Sequence, residues 1–262
     1  MMDTFSLKSL RQQLPAMHLR LKPTVSHLMR RPPLSPIRFV VFGRGRSGST
    51  ALVSLLDAVE GVHCDGEILS RPVLLPQTYL ESCCANSEAH AYGCKILSYQ
   101  IRDVQPLLRR QRFLHRLNRS GFKIIYLQRR NLLHHAISNL TARVSGFCQK
   151  KSDGPTENRR IVVDLEAVLD WMRRSEQLAI YEQQLIQGLT VLPVTYEDDL
   201  RYARQHQPTV DKICNFLGIP SSPVISAYRK QTSGRWQDAI ANHQELREFL
   251  SNTSYARYLE EE

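Results

Sequence analysis

The chain has 262 residues, 42% hydrophobic and 23% charged, an ordinary globular composition and a length that allows one large α/β domain with a substantial core or two smaller ones. Its net charge of +10 is uneven, because residues 1–38 hold seven Lys or Arg against one acid and so carry +6. That leader has no run of about 18 apolar residues, so neither a membrane-spanning helix nor a signal-peptide core is expected within it.

Residues 1–36 read as a basic, flexible extension ending at Arg31-Pro32-Pro33; an amphipathic arm in peripheral contact with an anionic membrane and an organellar presequence are the other readings. Residues 37–262 read as a single α/β domain. The six cysteines, at 64, 83, 84, 94, 148 and 214, have neither C-x-x-C pairs nor zinc-site spacing, and the adjacent Cys83 and Cys84 would strain a mutual disulfide. The expected compartment is therefore reducing and cytoplasmic. Asn118, Asn139 and Asn252 head glycosylation sequons, expected to be unmodified without a secretory signal.

Phe39 to Phe42 is a short apolar run suited to a buried strand. It enters Gly43-Arg44-Gly45-Arg46-Ser47-Gly48-Ser49-Thr50, and Leu52, Leu55, Leu56 and Val59 then fall at helical spacing within a helix expected over Thr50 to Glu60. A strand, a Gly-rich turn and a helix in that order present backbone N–H groups and a positive helix end to an anion. Gly43 and Gly48 fit the frame G-x-x-x-x-G-K-[ST], but Ser49 stands where a Walker lysine would, and the positive charge moves to Arg44 and Arg46. The competing reading is a plain strand-to-helix turn with two arginines in solvent.

Further strands are expected at Cys94 to Leu97, Lys123 to Leu127 and Val191 to Thr195. Helices are expected at Val104 to Leu117, Asn131 to Arg143, Leu165 to Gln187 and Pro208 to Leu217, the last closed by Gly218 and Pro220. This alternation defines a P-loop-like parallel sheet with helices on both faces. Arg109, Arg110, Arg112, Arg116 and Arg119 gather on or beside one of these helices. With Phe113 as the one interleaved aromatic they read as a solvated face, and no nucleic-acid partner is expected. Lys150 to Pro155 reads as an exposed loop. Arg129 and Arg130, at the carboxyl end of the strand over 123–127, stand where an open α/β sheet binds ligands, although they could equally pair with surface carboxylates.

The glycine-rich loop together with Arg130 and Ser138, eight positions apart after a later strand, resembles the sulfotransferases that use 3′-phosphoadenosine 5′-phosphosulfate (PAPS). The resemblance covers roughly residues 37–250, since Val194-Thr195-Tyr196-Glu197-Asp198 also matches. Val62 to Glu67, Gly93 to Leu97 and Lys230 to Gly234 look most like the bacterial carbohydrate sulfotransferases of the Stf0 and NodH type. The resemblance implies a PAPS donor and no metal, with Arg46, Ser47, Gly48, Ser49 and Thr50 on the 5′-phosphosulfate. It puts Arg130 and Ser138 on the 3′-phosphate and Tyr196 against adenine; Arg44 is a further candidate from its place in the loop.

The cytosolic aryl and steroid enzymes carry a Lys-x-His catalytic base, but this chain reads Lys95-Ile96-Leu97, so the base must lie elsewhere. The resemblance puts it at Glu67, with His63 as the rival, and gives Arg46 and Lys95 the role of neutralising charge during in-line transfer. The implied acceptor is a hydroxyl of a carbohydrate or glycolipid, chosen by loops such as 68–92 and 144–163. A P-loop kinase or NTPase with a degenerate loop is the alternative, followed by a basic nucleic-acid-binding protein.

Overall fold

The protein is described here by a computed structural model covering residues 24–30, 32–144, 160–225 and 235–260. The expected loop at 150–155, Cys148 and the segment 230–234 lie outside these residues. Five parallel strands, β1 (Ile37–Gly43), β2 (Val62–Asp65), β3 (Ala91–Leu97), β4 (Phe122–Gln128) and β5 (Val191–Thr195), form one sheet in the order β2-β3-β1-β4-β5. β1 is central, with Val41 opposite Lys95 on one side and Ile125 on the other. Burial of both sheet faces explains why Phe39, Val40, Val41 and Phe42 form an unbroken apolar run.

Alternate residues of β1 serve opposite faces. Phe39 and Val41 pack with Leu52, Leu55 and Leu56 of α1 (Ser49–Asp57). Val40 and Phe42 pack with Leu80 of α2 (Pro76–Ala85) and Leu114 of α3 (Phe113–Arg119). A third cluster joins α4 (Leu132–Val144), the first half of α5 (Leu165–Ile186) and α7 (His243–Ser251). Helix α6 (Ala203–Leu217) covers the α1 face through Val210, Ile213 and Leu217. None of the described helices is long and apolar enough to cross a membrane.

The four expected strands are present; β2, α2 and α7 are additions. The helix expected over 104–117 is broken into a π-helical turn (Gln100–Val104), a 3₁₀ turn (Arg110–Arg112) and α3. Pro106 is the cause, because the residue before a proline is driven out of the helical region, and Gln105 is extended with ψ 138°. The five arginines therefore do not share one helix. Helix α6 begins five residues before Pro208, at Ala203, and ends as expected at Gly218, whose φ of 78° is the left-handed cap. Part of the leader is ordered, for residues 24–30 are helical, Thr24 and Ser35 are buried, and the Ser35 hydroxyl donates to the Cys84 carbonyl.

Candidate functional site

The carboxyl ends of the strands gather the candidate residues, as expected for an open parallel sheet. β1 runs into the loop 43–48, and Gly48, with φ 84°, is the cap residue from which α1 starts. A Cβ there would sit 2.7 Å from Cδ2 of Tyr196, so only glycine lets the tyrosine ring close on the loop. No side chain among the described residues caps α1, which leaves its first-turn N–H groups available to an anion. Arg46 is left-handed at φ 62°, a conformation that costs a non-glycine residue about 1–2 kcal/mol and needs outside support.

Two donors supply that support by holding loop carbonyls. Arg129 Nη1 donates to the Arg46 carbonyl at 3.1 Å. His135 Nε2 lies 2.6 Å from the Gly45 carbonyl, which can only accept, so the imidazole carries its proton on Nε2. Its Nδ1 then accepts from the Ser175 hydroxyl at 3.1 Å. Burial, reinforced by the neighbouring Arg44 and Arg129 charges, holds His135 well below the usual histidine range and keeps it neutral.

Arg44 departs from the expected role. Its guanidinium turns away from the loop's anion-facing side into the core, only 4% exposed, where Nη1 donates to Ser175 Oγ at 2.9 Å and Nη2 to the Arg129 carbonyl. Nε lies 3.3 Å from Oε2 of Glu182, a fully buried carboxylate that also accepts from Ser98 and Tyr126. Burial raises the Glu182 pKa, opposed by Arg44, Ser98 and Tyr126. This carboxylate recruits Arg44 as its counter-charge. Ser175 and Glu182 are polar residues seven apart on the buried stripe of α5 that includes Val168, and that misplaced polarity is the signal by which the sequence could have exposed the network.

On the other flank, Lys95 bridges the loop helix and the segment after β2. Its Nζ donates to Thr50 Oγ1 at 3.3 Å and lies 3.0 Å from Glu67 Oε1. The lysine is nearly buried while Glu67 is partly open to solvent. Gln100 Nε2 and the Tyr99 hydroxyl donate to the second carboxylate oxygen, at 3.1 and 3.4 Å. Glu67, Lys95 and Thr50 thus converge from three separate elements. His63 is occupied elsewhere, between Asp57 at 3.2 Å and Asp65 at 3.3 Å.

Ser138 and Tyr196 share a pocket with Arg129, Arg201, Arg235 and Trp236. Arg129 lies 4.5 Å over the Tyr196 ring, and burial lowers its pKa. Arg130 is more exposed, its Nη2 donating to Asp198 at 2.6 Å, and the backbone N–H groups of Arg130 and Asn131 donate to Glu197. The sequence placed Arg129 with Arg130 at a ligand-binding strand end but not against Tyr196, because that contact depends on β4 and β5 being neighbours. Ser47 Oγ and the Nε atoms of Arg46 and Arg129 are buried with no hydrogen-bond partner in the described structure. Hydroxyl and guanidinium donors left over in this way at a glycine loop fit a phosphate or sulfate group.

No family model and no curated protein matches the chain. Among solved structures, a sulfotransferase from Alicyclobacillus acidocaldarius is similar over 87% of this chain and 95% of its own, with a TM-score of 0.50 and 15% identity. The mouse sulfotransferase SULT7A1, crystallised with PAP, aligns over 91% of this chain and 92% of its own, with a TM-score of 0.46 and 16% identity. The first likeness establishes the fold: a five-stranded parallel sheet flanked by helices, shared with a bacterial sulfotransferase.

Proposed function

We propose that the protein transfers a sulfuryl group from PAPS to a hydroxyl of a carbohydrate or glycolipid acceptor. The observation that carries this reading is the Glu67–Lys95–Thr50 convergence, which couples a carboxylate able to take a proton to the helix start of an anion-binding loop. PAPS supplies the sulfuryl group and is left as adenosine 3′,5′-bisphosphate. The N–H groups at the start of α1, the hydroxyls of Ser47, Ser49 and Thr50 and the Arg46 guanidinium bind the 5′ end. Ser138, with Arg129 and Arg130 at the head of α4, binds the 3′-phosphate, and Tyr196, which shares a pocket with Trp236, packs on the base.

Glu67 accepts the proton of the attacking hydroxyl, while Lys95 and Arg46 offset negative charge that builds at the leaving oxygen. Gln100 and Tyr99 hold the carboxylate in place. Ser49 at the Walker lysine position weighs against a P-loop kinase or NTPase. Incubation with PAPS labelled in the sulfuryl group and with glycan and lipid extracts tests the reading. Label should appear in an acceptor fraction, and label confined to PAPS and free sulfate across all extracts would count against it.

A further inference from the structure

Two segments leave the carboxyl ends of β2 and β3 side by side, at the same end of the sheet as the glycine loop. Gln100 Nε2 joins them at their base by donating to Glu67. Five residues on, the buried Gln105 side chain laces them again: its Oε1 accepts from the Val73 N–H at 3.1 Å, and its Nε2 donates to the carbonyls of Leu69 at 2.7 Å and Arg71 at 2.8 Å. The tips beyond that lacing therefore emerge together. They carry exposed leucines, with Leu108 fully exposed and Leu74 and Leu75 about half so.

The surroundings of these leucines are basic. Arg71, Arg109 and Arg112 are exposed at the same tips, residues 68–80 and 104–122 contain no Asp or Glu, and the acids that flank these stretches are engaged, Glu67 by Lys95, Asp103 by Arg102 and Glu81 by Gln77. Single exposed leucines are ordinary on a protein surface, but three on two laced loops within an acid-free, arginine-bearing stretch form a patch that calls for a partner. Apolar tips ringed by arginines match an anionic lipid bilayer, where leucines enter the acyl boundary and guanidinium groups meet lipid phosphates. A soluble polyanion would use the arginines and leave the leucines without a role.

We propose that segments 68–75 and 105–112 are a docking surface for an anionic bilayer. The surface adjoins Glu67, so docking holds the acceptor side of the site at the level of the lipid headgroups. The bilayer contact stands on this patch alone; the statement that it delivers an acceptor hydroxyl rests on the sulfotransferase reading.

Sedimentation of the full chain with vesicles of phosphatidylcholine, and of phosphatidylcholine mixed with phosphatidylserine, tests the docking. Binding is expected with the mixed vesicles. Leu108→Ser combined with Leu74→Ser should weaken it about tenfold or more, and Arg109→Glu at least about fivefold, since each basic residue near an anionic surface contributes about 1 kcal/mol. Each variant should keep the wild-type thermal shift with adenosine 3′,5′-bisphosphate, which shows that it folds. Failure of the wild type to bind mixed vesicles would overturn the proposal. So would undiminished binding by the leucine variant, which would assign any attraction to charge alone, including that of the basic leader. Absence of the nucleotide shift in the wild type with vesicle binding intact would refute the nucleotide reading and leave the docking surface standing.

Discussion

At the scale of single residues, the proposed transfer places the proton acceptor at Glu67. Glu67→Gln retains the shape and one acceptor oxygen but cannot take a proton, so turnover should fall by about 10²–10⁴-fold, the usual scale of general acid–base catalysis, while adenosine 3′,5′-bisphosphate still binds. A PAPS turnover assay and calorimetry on one preparation measure both. Near-normal turnover in Glu67→Gln would move the proton acceptor elsewhere, and His63, held by Asp57 and Asp65, is poorly placed to inherit the role. Glu67 and Lys95 were each legible as candidates through the motifs they stand in, but their pairing was not, because the strand β2 that carries the chain to Glu67 was not among the expected strands. The inward turn of Arg44 was not legible. Residue type gives no direction to a loop side chain, and its partner Glu182 lies far along the chain on α5.

At the scale of elements, the glycine loop is shaped from behind by α4 and α5. Removing Arg44 as Arg44→Met leaves Glu182 buried without its counter-charge, and breaking such a pair costs about 3–5 kcal/mol, so the melting temperature should drop clearly. Arg46→Ala removes no pair of this kind and should depress turnover more than stability. Circular dichroism melts and a PAPS assay separate the two; equal melting temperatures for both variants would refute the buried role of Arg44. His135 adds a pH signature. Its folded pKa lies below the ordinary 6.5, so the folded state favours the neutral ring. The stability this contributes is fully present above about pH 6.5 and is lost progressively as pH falls toward the folded pKa. Melts taken between about pH 7 and about pH 5 should show a shallower acid slope for His135→Gln than for wild type, and parallel slopes would mean that the buried imidazole does not drive the change. Helix ends with an explicit stop, such as Gly218, were legible, whereas the break at Gln105-Pro106 shows how one proline outweighs a favourable helical pattern.

At the scale of the molecule, the alternation of strands and helices was enough to predict the parallel sheet, yet the strand order β2-β3-β1-β4-β5 decides which residues meet. Placing β1 between β3 and β4 sets Lys95 on one side of the glycine loop and Arg129 on the other, and placing β5 beside β4 brings Tyr196 under Arg129. Pairings between distant strands leave no local trace in sequence, which is why the pocket of Arg129, Tyr196 and Trp236 emerged only in three dimensions. In the proposed function this pocket, the neighbouring Arg130 and the loop together read a nucleotide phosphorylated at both the 3′ and 5′ positions. Titration calorimetry with adenosine 3′,5′-bisphosphate and with ADP tests it most directly. The bisphosphate should bind more tightly, and Arg130→Ala should narrow the gap by about 1.5–3 kcal/mol, the worth of a hydrogen bond to a charged group. Equal affinities for the two nucleotides, or tighter binding of ADP, would contradict the account.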